Sequence, residues 1–347
     1  MRIGAVAENP WEQMGLWTAR VPTPILETFH GLLVARSLMA ACRFGLLEAL
    51  ADGPRTPEEV ARQCGCQPEA TGRLLDVLAS MGYVRQEAHR LRLTPLARRW
   101  LLASSPTSLR DYVLFRYREW EFVEGLEDHL RSGRPMVQSS RMDREAWGLY
   151  QRGMRAVSRL SAPEVARRTP VPENPRTLLD IGGAHGALAA AFCRRHPALS
   201  ARVLDLPEAV EHSAALLAEE GLGDRLHHWP GDVFAVDLGE SCEDVILMAN
   251  FLHHFPEAAC RDLLARAARA LRPGGVLACV DFFRPHEGRA TDQMTTLMHL
   301  YFAMTSGSAA WTAGQVAEWQ RDAGLIPRNP IGLRRAPGAS IQAAVRR

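Results

Sequence analysis

The chain has 347 residues, 47% hydrophobic and 23% charged, which suits an ordinary globular protein of about two domains and excludes collagen-like, mucin-like and wholly disordered classes. Its formal charge is +2, from 41 basic and 39 acidic residues, so nothing in the balance calls for a nucleic-acid partner. Every one of those basic residues is arginine, and the lack of lysine excludes a lysine general base, a Schiff base or a P-loop phosphate contact. The odd set of seven cysteines fits free thiols in a reducing compartment, and Cys64-Gly-Cys66 is too tight for a zinc knuckle, so no metal site is expected. No signal peptide is evident and no stretch reads as the roughly 18 to 20 apolar residues of a membrane span, so a cytoplasmic location without membrane attachment is expected.

In chain order, residues 1–24 hold Pro10, Pro22 and Pro24 around Trp11 and Trp17 and read as an arm that packs on something. Residues 25–51 carry a long apolar helical face broken at Gly45. Thr56-Pro-Glu-Glu59 has the form of a capped helix start, and Pro68 to Ala79 reads as the next helix. Tyr83–Arg85 and Arg90–Leu93 follow as two short antiparallel strands, and Thr94-Pro95 opens another helix. The resulting helix-helix-helix-wing pattern has a DNA-binding reading and a dimerisation reading. The third helix carries Glu69 and Asp76 and few outward basic groups, which favours dimerisation. Residues 106–168 read as helical and rich in aromatics, and the three prolines between Thr169 and Arg176 mark the clearest domain boundary.

From Thr177 strands and helices alternate, which implies a mostly parallel sheet covered on both faces. Leu178–Ile181 is the first strand. The segment Leu271-Arg-Pro-Gly-Gly275 reads as the end of a helix and a turn before a strand at Val276–Phe283, and the long connection 284–311 contains a further helical stretch. The first strand runs into Gly182-Gly183-Ala-His-Gly186 and then a helix, a backbone that turns tightly and lets a ligand approach a helix N-terminus. The glycine spacing departs from the dinucleotide fingerprint. Asp180 precedes the loop, Asp205 closes the next strand, where a carboxylate is placed to accept both hydroxyls of a ribose, and Asp232 with Val233 follows the third strand, where it can take an adenine amino group.

Asp180 to Gly186, Asp205-Leu-Pro207, Gly231-Asp-Val-Phe234 and Leu271-Arg-Pro-Gly-Gly275 together resemble the S-adenosylmethionine-dependent small-molecule O-methyltransferases, in the branch of caffeate-type and bacterial polyketide and antibiotic tailoring enzymes. The resemblance covers nearly all the chain after the arm. It implies an α/β Rossmann-like class I methyltransferase domain behind an N-terminal, mainly α, winged-helix-like dimerisation domain. The organisation expected is an arm at 1–24, the dimerisation domain at 25–105, a helical linker and substrate cap at 106–170, and the cofactor-binding domain at 171–347, in a homodimer. For S-adenosylmethionine it implies Gly182 and Gly183 around the methionine part, Asp205 at the ribose, Asp232 and Val233 at the adenine, and Leu206 as a further cofactor contact. Asn250, Met154 and Ser158 complete that set. His185 departs from the small or polar residue common in such loops.

Strand four ends in Asn250-Phe-Leu-His-His-Phe255. An imidazole there is half-titrated near neutral pH and can take a proton from a phenol or enol, although paired histidines can also cap the next helix or, with His299, begin a metal site. The resemblance selects His253 as general base and Asp281 as its orienting carboxylate. A second carboxylate common in the family falls at Ala310, which cannot serve. The aromatic and sulfur side chains Tyr117, Trp120, Trp147, Tyr150, Met294, Met298, Tyr301, Phe302 and Trp311, with His254, favour a flat apolar acceptor. The expected activity is O-methylation of an aromatic or polyketide-like small molecule. C- or N-methylation, non-methylating chemistry using the same cofactor, and a winged-helix regulator remain as alternatives.

Overall fold

The computed structural model describes residues 3–136, 142–285, 292–306, 308 and 310–347. Two compact units emerge among the described residues, one up to Trp120 and one from Glu121 to Arg347.

The first unit starts with helix α1 (Pro10–Trp17), inside the segment expected as an arm. Pro10 occupies the first helical position, where its missing N–H costs nothing, and the Asn9 side chain accepts the Glu12 N–H. Trp11 and Trp17 are 77% and 80% exposed, so the packing expected of them is not made within this chain. Helices α2 (Thr23–Ile25) and α3 (Gly31–Phe44) are joined by the π-turn Leu26–His30 into one rod that Gly45 ends in left-handed geometry. An 18-residue stretch within that rod, Thr23–Phe44, has a mean hydropathy of 1.3 and is by length and composition apolar enough to cross a membrane, where no such stretch was expected. Helices α4 (Pro57–Cys64), with its Thr56/Glu59 capping box, α5 (Pro68–Ser80) and α6 (Pro95–Leu101) surround the hairpin of β1 (Val84–Glu87) and β2 (Arg90–Leu93). Leu46, Leu50, Val60, Leu75, Leu78 and Leu93 fill this core. Helix α7 (Arg110–Arg118) closes the unit.

The division falls within α8 (Trp120–Glu124), after Trp120, and the second unit continues with α9 (Leu126–Ser132) and the long α10 (Arg144–Arg168). The strands are β3 (Thr177–Ile181), β4 (Ser200–Asp205), β5 (Leu226–Pro230), β6 (Glu243–Ala249), β7 (Leu271–Asp281), β8 (Leu325–Pro327), β9 (Ile331–Gly332) and β10 (Ser340–Arg346). Among the described residues they form one sheet in the order β5-β4-β3-β6-β7-β10-β8, with β9 on β10. All pairs from β5 to β7 are parallel, whereas β10 runs antiparallel. Arg272-Pro-Gly-Gly275 belongs to β7, not to a turn before it: Leu271 pairs with Glu243 and the ladder resumes after an irregularity at Val245–Val276.

Helices α11 (Ala187–Arg195), α12 (Pro207–Ala218), α13 (Glu257–Ala270), α14 (Gln293–Ser306) and α15 (Ala313–Asp322) complete the layers. Strand alternation divides the core: Leu178, Val245, Leu247 and Ala278 pack on one face, Leu179, Ile246, Met248 and Leu277 on the other. Each such aliphatic side chain contributes about 1.5–3 kcal/mol on burial. The strand order reverses between β3 and β6, so a crevice opens at the carboxyl ends of β3, β4 and β6. This is a Rossmann-like α/β architecture, with a mainly helical unit before it in the chain.

Candidate active site

The glycine loop lies in that crevice. Gly182 and Gly186 have φ of +71° and +69°, and a Cβ on Gly183 would meet the Asp180 carboxylate at 2.5 Å. Asp180 is 1% exposed, on the same face of β3 as Leu178. Neither carboxylate oxygen has a hydrogen-bond partner of good geometry. Burial pushes this carboxyl up to about 7, the Asp205 charge adds to the rise, and the Ala189 amide pulls the other way.

A cavity joins Asp180, Gly182 and Gly183 to Asn250 at the end of β6 and to Tyr150, Met154 and Ser158 of α10. Of the residues expected at the cofactor, these five (Gly182, Gly183, Asn250, Met154 and Ser158) come together. Asp205 is half-buried, and its two oxygens accept the N–H groups of Ala184 (2.9 Å) and Leu206 (2.8 Å). Burial raises its pKa, against the lowering effect of those amides and of His228. Leu206 is exposed, Asp232 is exposed and accepts the Phe234 N–H, and Val233 is buried in the core beneath them. These three stand along the strand ends outside the cavity.

His185 is a working part of the loop. Its Nδ1 accepts the Ala187 N–H at the start of α11, and its Nε2 stands 3.5 Å from the Ser158 hydroxyl. Burial, then the Arg155 guanidinium, lowers its pKa to about 4, so it stays neutral. Helix α10 is held by a buried ion cluster: Glu220 accepts from Arg155 (2.9 Å), Arg159 (2.8 Å) and Arg194 (2.6 Å).

At the end of β6 a 3₁₀ turn, Leu252–His254, directs His253 toward β7. Its Nδ1 lies 3.0 Å from both oxygens of Asp281, the last residue of β7. The two are 3% and 5% exposed. Facing a carboxylate, Nδ1 carries the proton, which leaves Nε2 as the basic lone pair. Phe302 of α14 stacks on the imidazole, with centroids 3.7 Å apart and planes at 10°. His254 tilts beside it at 4.3 Å; it is open to water but set among many atoms, and that crowding, then His253, draws its pKa down. Trp311 donates Nε1–H to the Leu252 carbonyl, and Ser308 bonds the Phe255 carbonyl, so the turn is tied from outside.

The aromatic residues expected around an acceptor separate. Tyr150 lines the cavity, while Trp147 stacks flat on His212 of α12 at 5.8 Å. Phe302 is buried against the base, and Trp311 supports the turn and packs on Trp319. Met294, Met298 and Tyr301 are half-buried on α14. Tyr117 and Trp120 belong to the first unit, where the Arg36 guanidinium lies 3.9 and 5.2 Å from their rings. His299 donates its Nε2–H to the Phe282 carbonyl at 3.0 Å. Ala310 is buried.

Sequence reasoning missed Phe251, whose ring fills the space a Gly182 side chain would need and meets Phe255 edge-on at 5.0 Å. It also missed His228, which bonds the loop at Ala184. Phe251 sits inside a motif already singled out; nothing local in the sequence marks His228.

Comparison with known proteins gives concordant results. Residues 115–325 match the O-methyltransferase domain, and residues 26–103 match the O-methyltransferase dimerisation domain. The chain is 28% identical over 327 residues to 3-hydroxy-5-methyl-1-naphthoate 3-O-methyltransferase of Streptomyces sahachiroi, covering 92% of this chain and 93% of that one. It is 30% identical over 276 residues to an N,N-dimethyltransferase of Streptomyces rimosus, covering 76% and 77%. Among solved structures, mitomycin 7-O-methyltransferase superposes with a TM-score of 0.80 at 25% identity, covering 96% of this chain and 99% of that one.

Proposed function

Because the chain belongs to the S-adenosylmethionine-dependent O-methyltransferase family, we propose that it methylates a hydroxyl of a flat aromatic or polyketide-like small molecule, with His253 as general base. The observation that carries this reading is the buried His253–Asp281 pair at the strand ends next to the glycine loop.

The residues present fit S-adenosylmethionine. Among the described residues no side chain pairs with the buried Asp180 carboxylate, which suits the cofactor's ammonium group, and the space beside Gly183 would be filled by any side chain. Gly182, Gly183, Asn250, Met154 and Ser158 would hold the methionine part, Asp205 and Leu206 the ribose, and Asp232 and Val233 the adenine. When bound, the sulfonium supplies an activated methyl group. Asp281 keeps the proton of His253 on Nδ1 and stabilises the imidazolium, and Nε2 takes the acceptor's hydroxyl proton. Phe302 fixes the plane of the imidazole, and Tyr150, Met294, Met298, Tyr301 and His254 are assigned to the acceptor. Orientation of the nucleophile supplies much of the rate.

The reading assigns the enzyme to the caffeate-type and antibiotic-tailoring branch, and its likeness to relatives named for a naphthoate and for mitomycin supports a small-molecule acceptor. It includes a homodimer through the 26–103 region, whose exposed Phe29, Leu32 and Leu33 favour a covering partner, and a cytoplasmic location, favoured by seven unpaired cysteines. Incubation with labelled S-adenosylmethionine and a panel of hydroxylated polycyclic acceptors tests it; transfer to oxygen that His253→Ala abolishes is the expected result. Failure of every hydroxyl acceptor would overturn it. N-methylation is a second reading, favoured by the N,N-dimethyltransferase relative and by Ala310, and an amine product in the same assay would establish it.

A further inference from the structure

We propose that His228 is a positioning residue for the cofactor loop, holding Ala184 in a left-handed conformation that shapes the loop for S-adenosylmethionine. The inference rests on the cofactor reading above and concerns a residue outside the assigned site.

Ala184 has φ of +40°, in the region that only glycine enters without strain. Such a residue persists where its surroundings over-determine it. Here the peptide groups of Ala184 are gripped from two sides. Its N–H donates to Asp205 Oδ2 at 2.9 Å, and its carbonyl accepts from His228 Nε2 at 2.7 Å. Asp205 lies at the end of β4, and His228 pairs with Val203 in the neighbouring β5, so two strands of the sheet serve as the anvil. Ser213 of α12, fully buried, stands on the same side, 3.3 Å from the same Nε2, whose hydrogen points mainly to the nearer Ala184 carbonyl. The Ser213 hydroxyl donates to the Ala209 carbonyl, so its oxygen faces the imidazole as an acceptor and keeps the hydrogen on Nε2. The same loop closes on itself through Gly186 N–H to the Gly183 carbonyl at 2.8 Å. Release of Ala184 would turn the Gly183–Ala184 peptide and take its N–H away from Asp205, the carboxylate assigned to the ribose.

The clamp differs from a general structural contact in what repairs it. Glutamine places a donor at the position of Nε2; asparagine fills similar space but falls short of the carbonyl. Glycine at 184 adopts the left-handed form without help. Titration of S-adenosylhomocysteine into the full chain, paired with steady-state kinetics and melting curves, reads all of these. We expect His228→Ala and His228→Asn each to weaken binding about tenfold and to raise KM for S-adenosylmethionine with kcat nearly unchanged. We expect His228→Gln to recover most of the affinity, and Ala184→Gly to restore it in the His228→Ala background. Unchanged affinity in His228→Ala, or a loss that neither repair recovers, would overturn the clamp. Failure of the wild-type chain to bind S-adenosylhomocysteine would instead overturn the cofactor reading itself.

Discussion

His253 Nδ1 is equidistant from the two oxygens of Asp281, 3.0 Å from each, although the two residues are 28 positions apart at the ends of adjacent parallel strands. The carboxylate fixes the tautomer and balances the charge that the imidazole acquires. Asp281→Asn keeps the shape and loses both effects. Turnover is expected to fall about 10²–10⁴-fold, with the affinity for S-adenosylhomocysteine unchanged. Equal loss of cofactor binding would show that Asp281 serves the cofactor and not the base.

Phe302 covers one face of the imidazole. Phe302→Ala opens a cavity at a residue 6% exposed and is expected to cost about 3–5 kcal/mol in denaturant titrations. Phe302→Leu keeps most of the volume and loses the flat ring. Its kcat is expected to fall while stability stays within about 1.5 kcal/mol of the wild type. Wild-type kcat in Phe302→Leu would reduce Phe302 to packing.

Asp180 makes the ligand-free protein sensitive to pH. The folded carboxyl titrates at about 7 and the unfolded one near 3.8, so across that window the folded state holds more protons. Stability therefore falls as pH rises from about 4 to 7, and Asp180→Asn is expected to flatten this slope and raise the ligand-free Tm at pH 8. On the cofactor reading the same variant binds S-adenosylhomocysteine more weakly, because the ammonium group loses its counter-charge. A Tm–pH curve identical to wild type would remove Asp180 from this role.

The Glu220 cluster holds α10, and with it Met154 and Ser158, in place. Burial opposes the charge on Glu220, but Arg194, Arg155 and Arg159 outweigh it and lower its pKa. Its stabilisation is thus present above the unfolded carboxyl value and is lost as pH falls through the lowered one. Glu220→Gln leaves the buried Arg155 guanidinium only the exposed Glu219 carboxylate as counter-charge and is expected to cost about 3–5 kcal/mol at pH 7, measured by urea unfolding. A change under about 0.5 kcal/mol would show that water compensates the arginines.

The loop at Asp180 to Gly186 was legible because small residues and a strand-end carboxylate leave a local mark, and the alternation of strands and helices was legible as period. His253 and Asp281 were legible only through resemblance, since nothing in their spacing brings them together. The aromatics illustrate the limit. Their abundance pointed to a flat ligand, yet Trp147 lies on His212, Trp311 ties a turn, and Phe302 covers the base. A composition counts rings without saying where they face.

The sequence by itself determined the strand–loop–helix grammar, the acidic residues at successive strand ends and the apolar faces that drive the layers together, because these follow from neighbours two to four residues apart. Only the tertiary structure decided that His228 bonds Ala184 across 44 positions, that Phe251 fills the space at Gly182, and that His185 links the loop to α10. Those relationships depend on sheet register and on the rotamers that packing selects, and neither is encoded in any short stretch of the chain.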